Sequence, residues 1–210
     1  MNQLDTTADQ IRAQFEKINA ARDQAYQRSR KLISLCARSI RAIHREEWET
    51  AETLIDEARQ ATETLVAGVL DYPVLYNAGY TQDAIKEFVE ANLTYALVRN
   101  RPLPTPEMLG ARGNTWLNGL AEAATELRRR ILDIIRHGHS DEAERLLDVM
   151  DQIYSQLVTF DFNDSITGGL RRRTDTVRAV LERTRGDVTT SLRQAQLEAA
   201  LKSVENQLKG

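Results

Sequence analysis

Apolar residues recur at helical spacing along nearly the whole chain. From residue 5 to residue 44 successive apolar positions lie three or four residues apart, which places them on one face of a helix. A second stretch of this kind runs from about Glu47 to Leu70, where Asp71-Tyr72-Pro73 interrupts it. No segment alternates apolar and polar residues as a half-buried strand does. The pattern therefore predicts an all-α fold that opens with an unusually long helix.

Five further helices are predicted after this break, the first four from a capping residue followed by an apolar stripe and the last from its amphipathic pattern alone. They start at Thr81, at Asn114, at Ser140, within Asn163-Asp164-Ser165 and near Asp187. Their predicted ends are about Asn100, His137-Gly138, Leu157, the region after Leu181 and Leu208. The sequence Thr105-Pro106-Glu107, with proline in the first helical position, predicts a short helical turn in between.

The composition is that of an ordinary globular protein. The chain has 210 residues, 41% hydrophobic and 28% charged, which suits one domain or one long helical bundle with a real core. No apolar run is long enough to span a bilayer, and the first residues lack a secretory pattern. Cys36 is the only cysteine and lies among apolar residues, which predicts a buried core thiol and a reducing compartment, the cytoplasm.

Charge is segregated along the chain, although the net charge is only −3. Residues 46–63 carry seven acids and one arginine, whereas residues 165–193 carry seven arginines and three acids. A local basic surface on an acidic protein can still bind phosphates, because arginine offers bidentate geometry to phosphate oxygens. For any single arginine an intrahelical ion pair, such as Glu182 with Arg178, is the competing interpretation.

Two acidic pairs stand on neighbouring predicted helices. Glu87 and Glu90 are three residues apart, Glu122 and Glu126 four apart, so each pair shares one helix face. A short connection makes the two helices antiparallel neighbours, and counting from it puts all four carboxylates at similar height. Four such carboxylates form a hard-oxygen site that Mg²⁺ or Mn²⁺ accepts.

The competing interpretation is a solvated acidic face. Glutamate pairs at this spacing arise by chance on many helices, and both pairs point away from the main apolar stripe of their own helix. Periodicity alone leaves the two interpretations open.

Three blocks of the sequence resemble the translin family, and its Trax-like branch in particular. They are Ile85-Lys86-Glu87-Phe88-Val89-Glu90-Ala91, then Trp116-Leu117-Asn118-Gly119-Leu120-Ala121-Glu122 followed by Glu126-Leu127, and finally Leu170-Arg171-Arg172-Arg173-Thr174-Asp175 with Arg185-Gly186. They keep the family's order between Arg12 and Gly186. In this resemblance Glu87, Glu90 and Glu126 match acidic residues of Trax, while Glu122 stands where Trax has aspartate.

The resemblance implies a seven-helix bundle that assembles into a hollow octamer. It also implies binding of single-stranded RNA or DNA and, in Trax-like members, a Mg²⁺- or Mn²⁺-dependent endoribonuclease, a hydrolase of phosphodiesters, with Glu87, Glu90, Glu122 and Glu126 as catalytic metal ligands. Residues 1–186 would form this domain and residues 187–210 an amphipathic helical extension of it. The predicted nucleic-acid contacts are Arg128, Arg129, Arg171, Arg172, Arg173, Arg178, Arg183 and Arg185.

Two alternatives remain. One is a translin-like protein that binds single strands without cutting them. The other is an all-α nucleoside triphosphate pyrophosphohydrolase, which also carries a Glu-x-x-Glu helix but usually spaces its second acidic pair by three rather than four. The few aromatic residues, including Trp48, Trp116, Tyr154, Phe160 and Phe162, mostly lie on apolar faces and predict core or interface positions rather than base-stacking platforms.

Overall fold

The computed structural model describes residues 2–209 and is helical throughout, with no strand in that range. Its helices are α1 Asn2–His44, α2 Trp48–Val69, α3 Pro73–Tyr76, α4 Gly79–Val98, α5 Gly113–Ile135, α6 Asp141–Leu157, α7 Asp164–Thr167 and α8 Leu170–Lys209. The predicted all-α class and the long first helix are confirmed. None of these helices combines the length and hydropathy required to cross a membrane, among the residues described.

The contacts of the chain fall into two compact units, Met1–Ala91 and Asn92–Gly210, and α4 runs without a break through the boundary. In the first unit α1 packs along α2. Only the second half of α1 takes part, because Ala25 is the first buried residue, and Leu32, Cys36 and Ile43 follow with no measurable exposure. From residue 3 to residue 24 every side chain is exposed except Ile18 and Ala21, which are partly exposed.

Helix α4 differs from the prediction of a one-sided apolar stripe. From Ala84 to Val98 every residue is buried except Glu87, which is partly exposed. A helix that is buried all round shows little amphipathicity, because apolar side chains are needed on every face. The interpretation of Glu90 as part of a solvated acidic face is therefore wrong, since only 7% of Glu90 is exposed.

In the second unit α5, α6 and α8 pack against one another. Their shared core consists of large side chains with essentially no exposure, namely Leu127, Ile131, Leu146, Met150 and Val177. Arg145 of α6 extends this packing to the end of α4, because its Nη2 donates to the Leu97 carbonyl over 3.1 Å. This hydrogen bond ties the last residues of α4 to α6.

The helix starts test the predicted caps. Ser140 and Asn163 cap α6 and α7, since their side-chain oxygens accept from the backbone N–H groups two residues on. Thr81 does not cap α4. The helix begins two residues earlier, and the Thr81 hydroxyl donates to the Leu75 carbonyl over 2.8 Å. Asn114 lies inside α5, which begins at Gly113. Both helices therefore begin before the position that the predicted cap implied.

The C-terminal part of the chain also differs from the prediction. The expected sixth helix is divided at Gly168 and Gly169, whose φ angles of 64° and 80° end α7 and require glycine or a strained residue. Beyond them α8 runs for 40 residues without interruption at Gly186. Its last buried residue is Val188, Leu192 and Ala195 are partly exposed, and the large apolar residues from Leu197 onward are exposed. The division into residues 1–186 and 187–210 stays a prediction.

Candidate metal centre and nucleic-acid interface

Glu87 and Glu90 lie one turn apart on the buried helix α4. Glu90 is only 7% exposed, and the side chain of Glu87 is 26% exposed. The Lys86 ammonium lies 3.2 Å from Glu87 Oε1. Two carboxylates in a largely dry environment repel each other, and keeping both ionised requires positive charge close by. Lys86 supplies part of that charge.

The buried thiol of Cys36 reports the same electrostatic environment. Burial is the main cause that raises the pKa of Cys36 far above its ordinary value, and the negative charges of Glu87 and Glu90 raise it further. Cys36 also has no measurable exposure. A raised pKa keeps the thiol protonated at neutral pH. The prediction that Cys36 is a buried core residue is confirmed.

Glu122 of α5 is held by an arginine of α8. Arg173 Nε donates to Glu122 Oε1 over 2.9 Å, and Arg173 Nη1 donates to Asn118 Oδ1 over 3.1 Å and to the Gly168 carbonyl over 3.3 Å. Asn118 in turn donates to the Thr167 carbonyl over 2.7 Å. The turn between α7 and α8 thus fixes the arginine, and the arginine fixes the carboxylate. Sequence reasoning missed this contact, because 51 residues separate its partners.

Glu87, Glu90 and Glu122 form the carboxylate cluster. One oxygen from each of the three lies within 4.8 Å of the others. Three carboxylate oxygens at this separation are the donor set that a small hard cation accepts, and they repel one another without positive charge between them. The residues thus fit Mg²⁺ or Mn²⁺. The fourth predicted ligand, Glu126, is half-buried one turn along α5 and does not belong to the cluster found among the described residues.

The predicted phosphate-binding arginines fall into two groups. Four form ion pairs or hydrogen bonds within the chain: Arg128 with Asp187 and Thr184, Arg173 with Glu122, Arg178 with Glu182, and Arg185 with Asp151. The other four are exposed, and the structure records no ion pair for them within residues 2–209: Arg129, Arg171, Arg172 and Arg183. The difference between the groups is the ion pairing, since Arg178 and Arg185 of the first group are exposed as well. A nucleic-acid role for all eight stays a prediction.

Phe160 and Phe162 lie at the surface of the chain, in the loop between α6 and α7. They are 38% and 61% exposed, so they are not core residues. The alternative, that they lie at an interface, stays a prediction. Together with Arg171 they line a surface cavity of about 650 Å³. Asp161, Asp164 and Asp175 line the same cavity, which gives it mixed charge.

Comparison with known proteins identifies close structural relatives. AfC3PO, solved alone and in complex with duplex RNA, superposes with a TM-score of 0.83 at 32% identity, covering 91% of this chain and 98–99% of that chain. NeC3PO superposes with a TM-score of 0.80 at 20% identity, covering 88% of this chain and 96% of that chain, and this likeness concerns the fold alone. An uncharacterized protein of Methanocaldococcus jannaschii is 28% identical over 190 residues, 89% of this chain and 83% of that protein. No protein-family profile matches.

Proposed function

This chain belongs to the translin/Trax-like family that includes AfC3PO, and we propose that it is a Mg²⁺- or Mn²⁺-dependent endoribonuclease that binds single-stranded RNA. The carboxylate cluster of Glu87, Glu90 and Glu122 is the observation that carries the proposal. AfC3PO independently supports the RNA-binding part of the proposal, since that relative, 32% identical over most of both chains, has been solved in complex with duplex RNA.

The three carboxylates of the cluster would hold the cation. When bound, a divalent cation supplies Lewis-acid polarisation of a phosphodiester and stabilises the negative charge that develops as the bond to phosphorus breaks. Glu90, being buried, offers a carboxylate oxygen in a region from which water is largely excluded, where electrostatic interactions are strongest. Glu122 is held in place by Arg173, and Glu87 balances its charge against Lys86. Glu126, one turn along α5, would act on the same site from outside the cluster.

The exposed arginines of α8 and α5 would hold the RNA backbone. Arg171 and Arg172 stand in the first turn of α8, only one or two residues before Arg173, whose side chain reaches the cluster. Contacts to phosphates hold the RNA backbone without reading its sequence. Duplex RNA is the ligand named for AfC3PO, so single-stranded and duplex RNA are both to be tested. Single-stranded DNA is a further candidate ligand.

Self-association, up to an octamer, is part of the proposal. Three large apolar side chains on the first half of α1 are exposed (Leu4, Ile11 and Phe15), as are four near the end of α8 (Leu197, Leu201, Val204 and Leu208). The α8 residues are spaced four, three and four apart, which forms a continuous apolar seam on a helix. Exposed apolar seams of this length are typical of contacts between subunits.

The decisive experiment compares cleavage with binding. Labelled single-stranded RNA and duplex RNA are incubated with the wild type, Glu90→Gln and Glu122→Gln, with Mg²⁺ or with EDTA. Loss of a cation ligand removes several kcal/mol of transition-state stabilisation, so cleavage should fall by about 100-fold or more while RNA affinity in EDTA is kept. Cleavage at the wild-type rate by either variant would refute the nuclease proposal. Nucleoside triphosphates as substrates in the same assay test the pyrophosphohydrolase alternative.

A non-catalytic RNA-binding protein is the second candidate. Lys86 and Arg173 each form an ion pair with a carboxylate of the cluster, and ion pairs of this kind also occur in purely structural networks. A pure binder would retain its RNA affinity in both variants and would cleave no RNA with any divalent cation. The same experiment therefore separates the two candidates.

A further inference from the structure

Arg173 differs from its two neighbours in the arginine triplet at the start of α8. Arg171 and Arg172 are exposed, whereas the side chain of Arg173 is only 19% exposed. Its guanidinium makes three hydrogen bonds, to Glu122 Oε1, to Asn118 Oδ1 and to the Gly168 carbonyl, at 2.9, 3.1 and 3.3 Å. The three acceptors belong to α5 and to the glycine turn that precedes α8. Arg173 is thus a fixed structural element rather than a mobile surface cation.

We infer that Arg173 is a positioning residue for the proposed cation: it sets the orientation of the Glu122 carboxylate and does not bind the RNA backbone. The inference rests on the proposed function, because Glu122 must be a cation ligand for its orientation to matter. It assigns one of the eight predicted phosphate-binding arginines to a different task.

The geometry of the guanidinium supports this assignment. Nε and Nη1 lie in one rigid plane, and they bond to Glu122 and to Asn118, residues one turn apart on α5. Asn118 cannot yield easily, because its own amide donates to the carbonyls of Thr167 and Asn114, both at 2.7 Å. The carboxylate is therefore held from one side at Oε1. A carboxylate has two oxygens, so this contact is compatible with coordination of a cation by the same group.

The left-handed glycines complete the arrangement. Gly168 has φ of 64° and turns its carbonyl towards Arg173 Nη1. A Cβ on Gly169, whose φ is 80°, would lie 3.6 Å from the same nitrogen. Two successive residues with positive φ are strained for any other side chain, so the turn that places the arginine depends on glycine. The backbone, the arginine and the carboxylate form one rigid chain of contacts.

A fixed orientation of the Glu122 carboxylate should affect the binding of Mg²⁺ and of Ca²⁺ to different extents. Mg²⁺ requires near-ideal octahedral geometry at short distances, whereas Ca²⁺ tolerates irregular coordination. A loosened Glu122 should therefore weaken Mg²⁺ binding much more than Ca²⁺ binding. Removal of a positive charge alone should instead strengthen the binding of both divalent cations by a similar factor. The ratio of the two affinities thus distinguishes positioning from charge.

The test uses Arg173→Lys, which keeps the charge and loses the planar pair of donors. Mg²⁺ and Ca²⁺ are titrated separately into the full-length protein by calorimetry, without RNA. The Mg²⁺-to-Ca²⁺ affinity ratio should fall by about tenfold. This is the lower end of the loss of metal affinity that follows when a residue that orients a metal ligand is removed. Arg172→Lys is the matched control and should leave the ratio unchanged. An unchanged ratio in Arg173→Lys, or an equal fall in the control, overturns the inference.

Arg173→Gln provides a second measurement if the lysine variant does not fold. Its affinity ratio should fall as well, and its affinity for single-stranded RNA in EDTA should stay within about twofold of the wild type. Equal gains in the affinities for Mg²⁺ and Ca²⁺ would show that Arg173 only contributes charge. Weaker RNA binding would show that Arg173 contacts a phosphate. Either result overturns the inference. Glu122→Gln separates failure of the proposed function from failure of this inference. If this variant binds Mg²⁺ like the wild type, the proposed function fails. If it loses Mg²⁺ binding while the Arg173 variants keep the wild-type affinity ratio, only this inference fails.

Discussion

The Lys86 ammonium lies 3.2 Å from Oε1 of Glu87, its neighbour along the chain. The side chain of Lys86 is 11% exposed and that of Glu87 26%, so the pair is only partly screened by water. A divalent cation bound by Glu87 would add positive charge next to this ammonium. The affinity of the cluster for a cation therefore reflects a balance between the carboxylates that attract it and the basic residues beside them.

Divalent cations should stabilise the folded protein through the carboxylate cluster. Mg²⁺ or Mn²⁺ would relieve repulsion among Glu87, Glu90 and Glu122. A ligand that binds the native state and not the unfolded state raises Tm. At a cation concentration of about 100 times Kd the gain is about 2.7 kcal/mol, which differential scanning fluorimetry resolves as a shift of several degrees. Glu122→Gln should abolish the shift, as should the double variant Glu87→Ala/Glu126→Ala.

Glu126→Gln alone is the informative control for this prediction. Glu126 lies outside the cluster of three, so the variant should retain most of the Tm shift. Complete loss of the shift in this variant would show that the fourth predicted carboxylate is a full ligand. An equal shift in the wild type and in Glu122→Gln would contradict a cation site at the cluster.

RNA binding should depend on salt through the exposed arginines of α8. The double variant Arg171→Ala/Arg172→Ala should bind single-stranded RNA more weakly, and its log–log salt slope should be shallower by about 0.7 for each lost phosphate contact. Fluorescence anisotropy across a series of NaCl concentrations in EDTA gives this slope. Arg178→Ala, which removes an arginine already paired with Glu182, is the control and should change the slope less. A wild-type slope in the double variant would contradict the predicted interface.

The Cys36 thiol should make the fold sensitive to alkaline pH. The folded state raises the pKa of Cys36 above its ordinary value of 9.0, so the stabilising contribution is fully present below pH 9. Above pH 9 the unfolded thiol ionises while the folded thiol does not, which favours unfolding by about 1.4 kcal/mol per pH unit. Urea unfolding in EDTA at pH 8 and pH 10 should show this extra loss in the wild type.

Cys36→Ala is the comparison that isolates the thiol, because other groups titrate equally in both proteins. Its free energy of unfolding should fall by about 1.4 kcal/mol less between pH 8 and pH 10 than that of the wild type. Parallel pH dependence in the two proteins would show that the thiol ionises within the fold. Native Cys36 should also resist alkylation by iodoacetamide at neutral pH, since only the thiolate reacts.

The protein should assemble in solution. Light scattering at micromolar concentration should give a mass several times 23.8 kDa. Phe15→Asp and Leu201→Asp each place a charge on an exposed apolar seam and should lower that mass, since a large apolar side chain buried at an interface contributes about 1.5–3 kcal/mol. Gln194→Asp, at an exposed polar position of α8, is the control. A wild-type monomer would contradict the assembly part of the proposal.

The sequence determined the helices whose amphipathic pattern is strong. Leu32, Cys36 and Ile43 follow helical spacing on α1, and all three are buried. Capping chemistry located the starts of α6 and α7, because Ser140 and Asn163 bond to backbone N–H groups only two residues away. Local spacing also placed Glu87 and Glu90 on one turn. These features depend on interactions between residues close in the chain, which a sequence pattern records directly.

Tertiary structure alone decided the environment of the acidic residues. Periodicity could not distinguish a solvated Glu90 from a buried one, because burial is a property of the folded chain, in which Glu90 is only 7% exposed. The contact between Arg173 and Glu122, and the separation of Glu126 from the cluster, likewise depend on how α8 and α5 pack. Helix propensity is local. The burial and the nearby charges that control the ionisation of a carboxylate are instead set by neighbours that the fold brings together.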